Sequence, residues 1–313
     1  MAQSQDVLTH LLRRPPQAPV PIAYNFLVPN VTGFRNFLHA YTASKGAGRT
    51  VPPQTPPSSP RMQSEQMGTT RLISAQDPNE IASFTPEGQL DKDESQAQNA
   101  DPGIEISIFI AATESFSRRN INCTIFESLS QAEALMSLAK EHTLRVRAYI
   151  SVALGCPYEG PDVPPQRVAE LARSLLEKGV DEVSIADTTG MGTAHKTREL
   201  LKALFAASVS PHDLALHFHD TYGQALVNVV VGLEHGIRVF DAAVGGLGGC
   251  PFSKGATGNV STEDLVHCLH SLGMDTGVDI EELSRIGSWI SQELGRSNES
   301  RAGKAVLARL APR

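Results

Sequence analysis

His217 and His219 stand one residue apart in Leu214-Ala215-Leu216-His217-Phe218-His219, a run that reads as a β-strand. Alternate residues of a strand share a face, so both imidazoles point the same way. Two imidazoles at the end of a strand can share a metal ion. Two partly buried histidines satisfied by hydrogen bonds would give the same pattern. A second cluster follows in Gly245-Gly246-Leu247-Gly248-Gly249-Cys250-Pro251 and Gly255-Ala256-Thr257-Gly258-Asn259. So many glycines let backbone approach a ligand closely and let a loop close over it. A cysteine there, Cys250, suits a proton donor or a nucleophile better than a core thiol; an incidental cysteine in a flexible turn is the plain alternative. Asn259 precedes a helix start, where its amide oxygen can reach a metal or help cap the helix. Asp187 closes another strand just before Thr188-Thr189-Gly190, as a substrate or metal partner or as a turn cap. Arg147 and Tyr149 alternate on a third strand and share its face. An arginine pointing inward needs an anionic partner, either a carboxylate of the protein or one of a substrate.

The elements that must position these residues alternate regularly. Strands are expected at residues 105–111, 145–152, 182–186, 214–219 and 239–244. Between and after them lie helical patterns at Thr124 to Lys140, from Pro165 to a stop at Gly179, from a Thr193 cap to Ala207, and from Tyr222 to His235. Ser261 and Asp264 fit a capping box for a helix ending near Leu272, and two more helices fill Ile280 to Leu310. The N-terminal piece adds a strand at residues 21–28 and a helix over Thr32 to Tyr41. Strand–helix alternation at this spacing argues for a parallel sheet with crossover helices. About six units are present, where a closed (β/α)₈ TIM barrel needs eight. Periodicity alone leaves an open doubly wound sheet in play, although no GxGxxG follows the first strand.

Residues 42–103 break the pattern. They are rich in Pro, Ser, Gln and Gly, include Pro52-Pro53-Gln54-Thr55-Pro56-Pro57, and lack apolar periodicity. They read as a disordered insertion between an N-terminal piece at 1–41 and the main body at 104–313. The 313-residue chain carries a net charge of −7, which argues against a nucleic-acid partner. No run of roughly 18 apolar residues exists, so no membrane span is expected. The four cysteines form no CxxC pair and suggest neither a disulfide frame nor a zinc knuckle.

Taken in order, Asn120-Ile121-Asn122-Cys123, Ala153-Leu154-Gly155-Cys156-Pro157-Tyr158-Glu159-Gly160, His217 to Ala225, Gly246 to Pro251 and Gly255 to Asn259 resemble the hydroxymethylglutaryl-CoA lyase family. Pro29-Asn30 and Gly33-Phe34 look like that family's third-strand loop. The resemblance implies a (β/α)₈ barrel, here without its first two units, and a divalent cation, Mg²⁺ or Mn²⁺. It implies cleavage of 3-hydroxy-3-methylglutaryl-CoA to acetoacetate and acetyl-CoA, in leucine degradation and ketone-body formation. On the same footing His217, His219 and Asn259 would hold the metal, and Cys250, His217 and Asp187 would serve catalysis. Arg147, Tyr149, Glu263 and Asn30 would meet an acyl-CoA substrate. A homo-oligomer such as a dimer and the mitochondrial matrix, with the cytoplasm as alternative, complete the expectation. The sequence departs from the family where an opening Arg-Asp-Gly motif should supply an arginine for the substrate and an aspartate for the metal; no Arg-Asp-Gly occurs in it. An impaired family member with a binding or regulatory role is therefore an alternative. So is another metal-dependent acyl-CoA or 2-oxo-acid aldolase or acyltransferase.

Overall fold

The computed structural model describes residues 4–13, 22–46, 103–249 and 258–311. Its frame is one parallel sheet of six strands, β1 (Ala23–Leu27), β2 (Gly103–Ala111), β3 (Arg145–Ser151), β4 (Glu182–Asp187), β5 (Leu214–Phe218) and β6 (Val239–Asp241), hydrogen-bonded in sequence order. The sheet curls into part of a barrel, and among the described residues β6 does not pair with β1. The expected barrel architecture is thus present, with six strands.

Helices run outside the sheet: α1 (Ser4–Arg13), α2 (Val31–Gly46), α3 (Glu114–Asn120), α4 (Ile125–Glu141), α5 (Pro165–Glu177), α6 (Ala194–Ala206), α7 (Ala225–Glu234), α8 (Thr262–Ser271), α9 (Ile280–Glu293) and α10 (Arg301–Leu310). Their starts are written in the chain. Thr124 accepts from Glu127 N while Glu127 accepts from Thr124 N, a complete capping box for α4. Pro165 sits in the first turn of α5, where its missing N–H costs nothing. Thr193 and Ser261 cap α6 and α8 by accepting from Lys196 N and Asp264 N.

The two faces of the sheet differ. Ile106, Ile108, Ile110, Val146, Ala148, Ile150, Val183, Ile185, Leu214 and Leu216 alternate onto the outer face and are buried beneath the helices. That layer is the hydrophobic core. Each large aliphatic side chain in it contributes roughly 1.5–3 kcal/mol. The inner face is polar: Asn25, Glu105, Ser107, Arg147, Tyr149, Glu182, Ser184, His217 and Asp241 share it by register.

Several boundaries differ from the sequence reading. β6 stops at Asp241 rather than Val244, because residues 244–246 form a 3₁₀ turn. β5 stops at Phe218, and α7 begins at Ala225 rather than Tyr222. The seven-residue α3 has no apolar period; α1 carries one in Val7, Leu8, Leu11 and Leu12, and it was not among the expected helices. The insertion expected at 42–103 gives up its edges to α2 and β2; the rest of it lies outside the described residues.

Thr124→Ala should cost about 1 kcal/mol through loss of the α4 cap. Ile150→Ala, at a fully buried position, should cost about 2–5 kcal/mol. Urea unfolding of both variants against the parent tests the order: a Thr124 variant hurt more than the Ile150 one would contradict this account of the core.

Candidate active site

Barrel chemistry is done where the strands end at their C-termini, and four candidate residues gather there. His217 is the penultimate residue of β5 and faces the inner side. His219 lies just past the strand, and its ring centroid is 5.4 Å from that of His217. Asn259 is 40 positions further on in the chain, yet it arrives beside His219. Segment 258–260 runs antiparallel to the end of β5 through an isolated His219–Asn259 bridge, with Asp220 N donating to Gly258 O at 3.1 Å and Val260 N to Phe218 O at 3.1 Å. Asp187 closes β4, next to β5. Its Oδ2 accepts from Gly192 N at 2.9 Å.

Burial sets the charge states. It pushes the His219 imidazole down to about 4, with His217 adding to the shift, so the ring is neutral at ordinary pH and its lone pair is free. It pushes the Asp187 carboxyl up to about 6, against the loop N–H groups that favour the anion. Asn259 donates through Nδ2 to Leu247 O at 2.9 Å.

The arrangement leaves Asp187 Oδ1, His219 Nδ1 and Asn259 Oδ1 buried without a hydrogen-bond partner. Such atoms are costly to leave unmatched, at about 1–3 kcal/mol each. Oxygen and imidazole nitrogen donors of this kind suit a divalent cation. Among the described residues no group of three or more His, Cys, Asp and Glu side chains is placed to hold a metal. The donors left unmatched are thus a carboxylate oxygen, an imidazole nitrogen and a carboxamide oxygen, on Asp187, His219 and Asn259, with the His217 ring beside His219.

Other candidates have different surroundings. The partners of Arg147 are protein carboxylates: Nη1 lies 2.8 Å from Asp241 Oδ1 and Nε lies 2.6 Å from Glu182 Oε1. Both sit on the inner face, so protein carboxylates meet part of the guanidinium, while Arg147 Nη2 is buried without a hydrogen-bond partner. Tyr149 accepts from Arg147 Nη1 at 3.2 Å and meets His217 edge-on at 6.1 Å between centroids. Burial and the nearby Asp241 carboxylate push its phenol up to about 12, so it stays protonated. Glu263 is fully buried. Both of its oxygens accept from Gly245 N, at 3.1 and 2.9 Å, at the root of the glycine loop. Asn30 caps α2 by accepting from Gly33 N at 2.9 Å and lines a crevice of about 320 Å³ with Phe109, Asn120, Asn122 and Gln131. That crevice is on the β1–β2 side, away from β5 in strand order. Cys250 lies outside the described residues.

Asp241 was missed by sequence reasoning. It accepts from Arg147 and, at 2.9 Å, from Ser184 Oγ, and its Oδ2 lies 3.4 Å from His217 Nδ1. Burial alone would raise its pKa, but His217, Arg147 and Ser184 outweigh that and hold the carboxyl below the usual range. The only hint in the sequence was an aspartate closing a strand in a chain whose other strand-end aspartate, Asp187, had drawn attention.

A sequence model of the HMGL-like family matches residues 58–290. The chain belongs to the HMGL-like family. It is 53% identical over 205 residues to the 3-hydroxy-3-isohexenylglutaryl-CoA/hydroxy-methylglutaryl-CoA lyase of Pseudomonas aeruginosa, covering 66% of this chain and 68% of that protein. It is 49% identical over 211 residues to the cytoplasmic 3-hydroxy-3-methylglutaryl-CoA lyase of Danio rerio, covering 67% of this chain and 62% of the relative. The crystal structure of hydroxymethylglutaryl-CoA lyase from Pseudomonas aeruginosa superposes with a TM-score of 0.73 at 39% identity, covering 99% of this chain and 80% of that one. This places the chain among carbon–carbon lyases, as the motifs led one to expect. Relatives named as mitochondrial occur beside those named cytoplasmic. Among the described residues no helix is long and apolar enough to cross a membrane.

A methyl group on residue 192 would stand 2.6 Å from Asp187 Oδ2 and 2.8 Å from Leu154 Cδ1. Gly192→Ala should therefore cost about 1–3 kcal/mol by overpacking and displace the Asp187 carboxylate. An unfolding midpoint identical to that of the parent would show that Asp187 is not held as described.

Proposed function

We propose that this HMGL-like chain cleaves 3-hydroxy-3-methylglutaryl-CoA to acetoacetate and acetyl-CoA, using Mg²⁺ or Mn²⁺ held by His217, His219 and Asn259. The observation that carries the reading is the meeting of His219 and Asn259 across an antiparallel bridge, with unpartnered donor atoms on both and on neighbouring Asp187. The names of the relatives supply the substrate class.

A divalent cation bound there would polarise the tertiary hydroxyl and a carboxylate oxygen of the substrate. The chain's own residues do the rest. Asp187, buried at the end of β4, takes the hydroxyl proton on its free Oδ1; its raised pKa suits a base working near neutral pH. The oxygen's electron pair becomes the new carbonyl bond as the carbon–carbon bond breaks, leaving the acetyl-CoA enolate. Cys250, by its place in the glycine-rich motif that resembles the family's, gives the enolate its proton. Neutral His219 keeps its lone pair for the cation rather than for a proton.

The name of the Pseudomonas aeruginosa relative carries a second, longer-branched thioester. A related 3-hydroxy-3-alkylglutaryl-CoA is accordingly the second substrate to assay.

Purified protein should release acetoacetate from 3-hydroxy-3-methylglutaryl-CoA with Mg²⁺ or Mn²⁺ and stop in the presence of a chelator. His217→Ala should abolish turnover. Cys250→Ser should lower kcat on the order of 10²–10⁴-fold, the usual worth of a positioned acid. A folded, metal-supplemented sample that cleaves neither thioester would overturn the proposal.

A further inference from the structure

Asp241 has a place in the cation site that none of the sequence motifs assigns. An imidazole binds a metal through one nitrogen, and what holds the other nitrogen decides its tautomer and ring orientation. For His217 the group on the Nδ1 side is Asp241, with Oδ2 at 3.4 Å. The two atoms make no hydrogen bond as they stand, and Nδ1 is buried with no other partner. The carboxylate itself has little freedom. Its Oδ1 accepts from Arg147 Nη1 at 2.8 Å and its Oδ2 from Ser184 Oγ at 2.9 Å. Arg147 is pinned in turn by Glu182. The Tyr149 ring, edge-on to His217 at 86°, stands against the imidazole from β3. Every partner of Asp241 thus comes from a different strand, and each is on the same polar face.

We propose that Asp241 is a positioning residue for the cation site: it accepts a hydrogen bond from the Nδ1–H of His217, fixes that tautomer, and leaves Nε2 as the nitrogen presented to the metal. The proposal rests on the reading of His217 as a cation ligand. It assigns Arg147 and Ser184 a supporting part, as the groups that keep the Asp241 carboxylate charged and aimed at β5. Carboxylate–imidazole pairs of this kind, when broken, typically weaken metal binding on the order of 10–100-fold.

Two measurements on the full chain test it. The first uses the parent protein labelled with ¹⁵N histidine, without metal, at a pH where the imidazoles are neutral. Long-range ¹H–¹⁵N spectra, with His217 assigned by the signal lost in His217→Gln, should show the proton on Nδ1. A proton on Nε2 overturns the proposal. The second uses Co²⁺ as a visible probe. Asp241→Asn, folded by circular dichroism, should bind Co²⁺ on the order of 10–100-fold more weakly and shift its d–d bands. Arg147→Met, which removes one support of the Asp241 carboxylate but leaves the carboxylate and Ser184, should shift the bands less. Co²⁺ affinity and spectrum unchanged in Asp241→Asn would reduce Asp241 to a structural ion pair and overturn the proposal. A parent protein that binds no Co²⁺ at all sinks the cation reading together with this inference. A parent that binds Co²⁺ but carries the wrong His217 tautomer sinks this inference alone.

Discussion

One half-buried carboxylate ties together four of the six strands. Asp241 on β6 draws in Arg147 from β3, Ser184 from β4 and His217 from β5. An ion of this sort is expensive to take out of water unless it is paired and fully hydrogen-bonded. Here the partners are numerous enough to keep it charged. The consequence is geometric as much as energetic. Strands that share one anion on their inner face cannot slip in register without stranding a charge, since a slip of one residue would turn Arg147 and Asp241 outward into the aliphatic layer.

That constraint explains why the sheet has two unlike faces. The outer face is a continuous aliphatic layer under the helices and supplies the hydrophobic stabilisation. The inner face gives up that gain and carries polar groups in contact with one another: Asn25 with Ser107, and Arg147 with Glu182 and Asp241. A polar floor below the histidines serves chemistry in a way that an aliphatic one cannot. It fixes side-chain direction by hydrogen bonds and holds a permanent negative charge beneath a site that would take a cation.

Much of the architecture was legible in the sequence because burial writes itself as periodicity. The five strands after the insertion and the helices between them follow from runs such as Ile106–Ile110 and from caps such as Thr124 and Thr193. The His217–His219 pair was legible for the same reason: a period of two fixes a shared face. Strand ends were less so. β5 and β6 end earlier than their apolar runs because His219 leaves the ladder to bridge Asn259, and Ala243 to bridge Ser261. Those are long-range pairings that no local pattern records. The partners of Arg147 were hidden likewise: the residue's need for an anion was clear, but choosing between Asp241, Glu182 and a substrate required the register of four strands. Asn30 and Glu263 were associated with substrate by resemblance; the structure adds the local hydrogen bonds that hold them, to a helix start and to a loop root.

The loop root shows how a site can be firm beneath a segment rich in glycine. Gly245 and Gly246 have φ values of 62° and 64°, which a side chain would disfavour. A Cβ at Gly258 would stand 2.5 Å from Gly246 O, so backbone packs directly on backbone where the two glycine segments meet. Glu263 grips Gly245 N with both oxygens, and Asn259 grips Leu247 O. Glu263 is itself walled in, because a Cβ at Gly287 would lie 1.9 Å from its Oε1. Glycine at these positions therefore permits close packing rather than motion. The same asparagine whose side-chain oxygen is left without a partner uses its amide nitrogen to hold Leu247 O. Under the proposed cation site, a ligand to Asn259 Oδ1 would share one side chain with the hydrogen bond to Leu247 O.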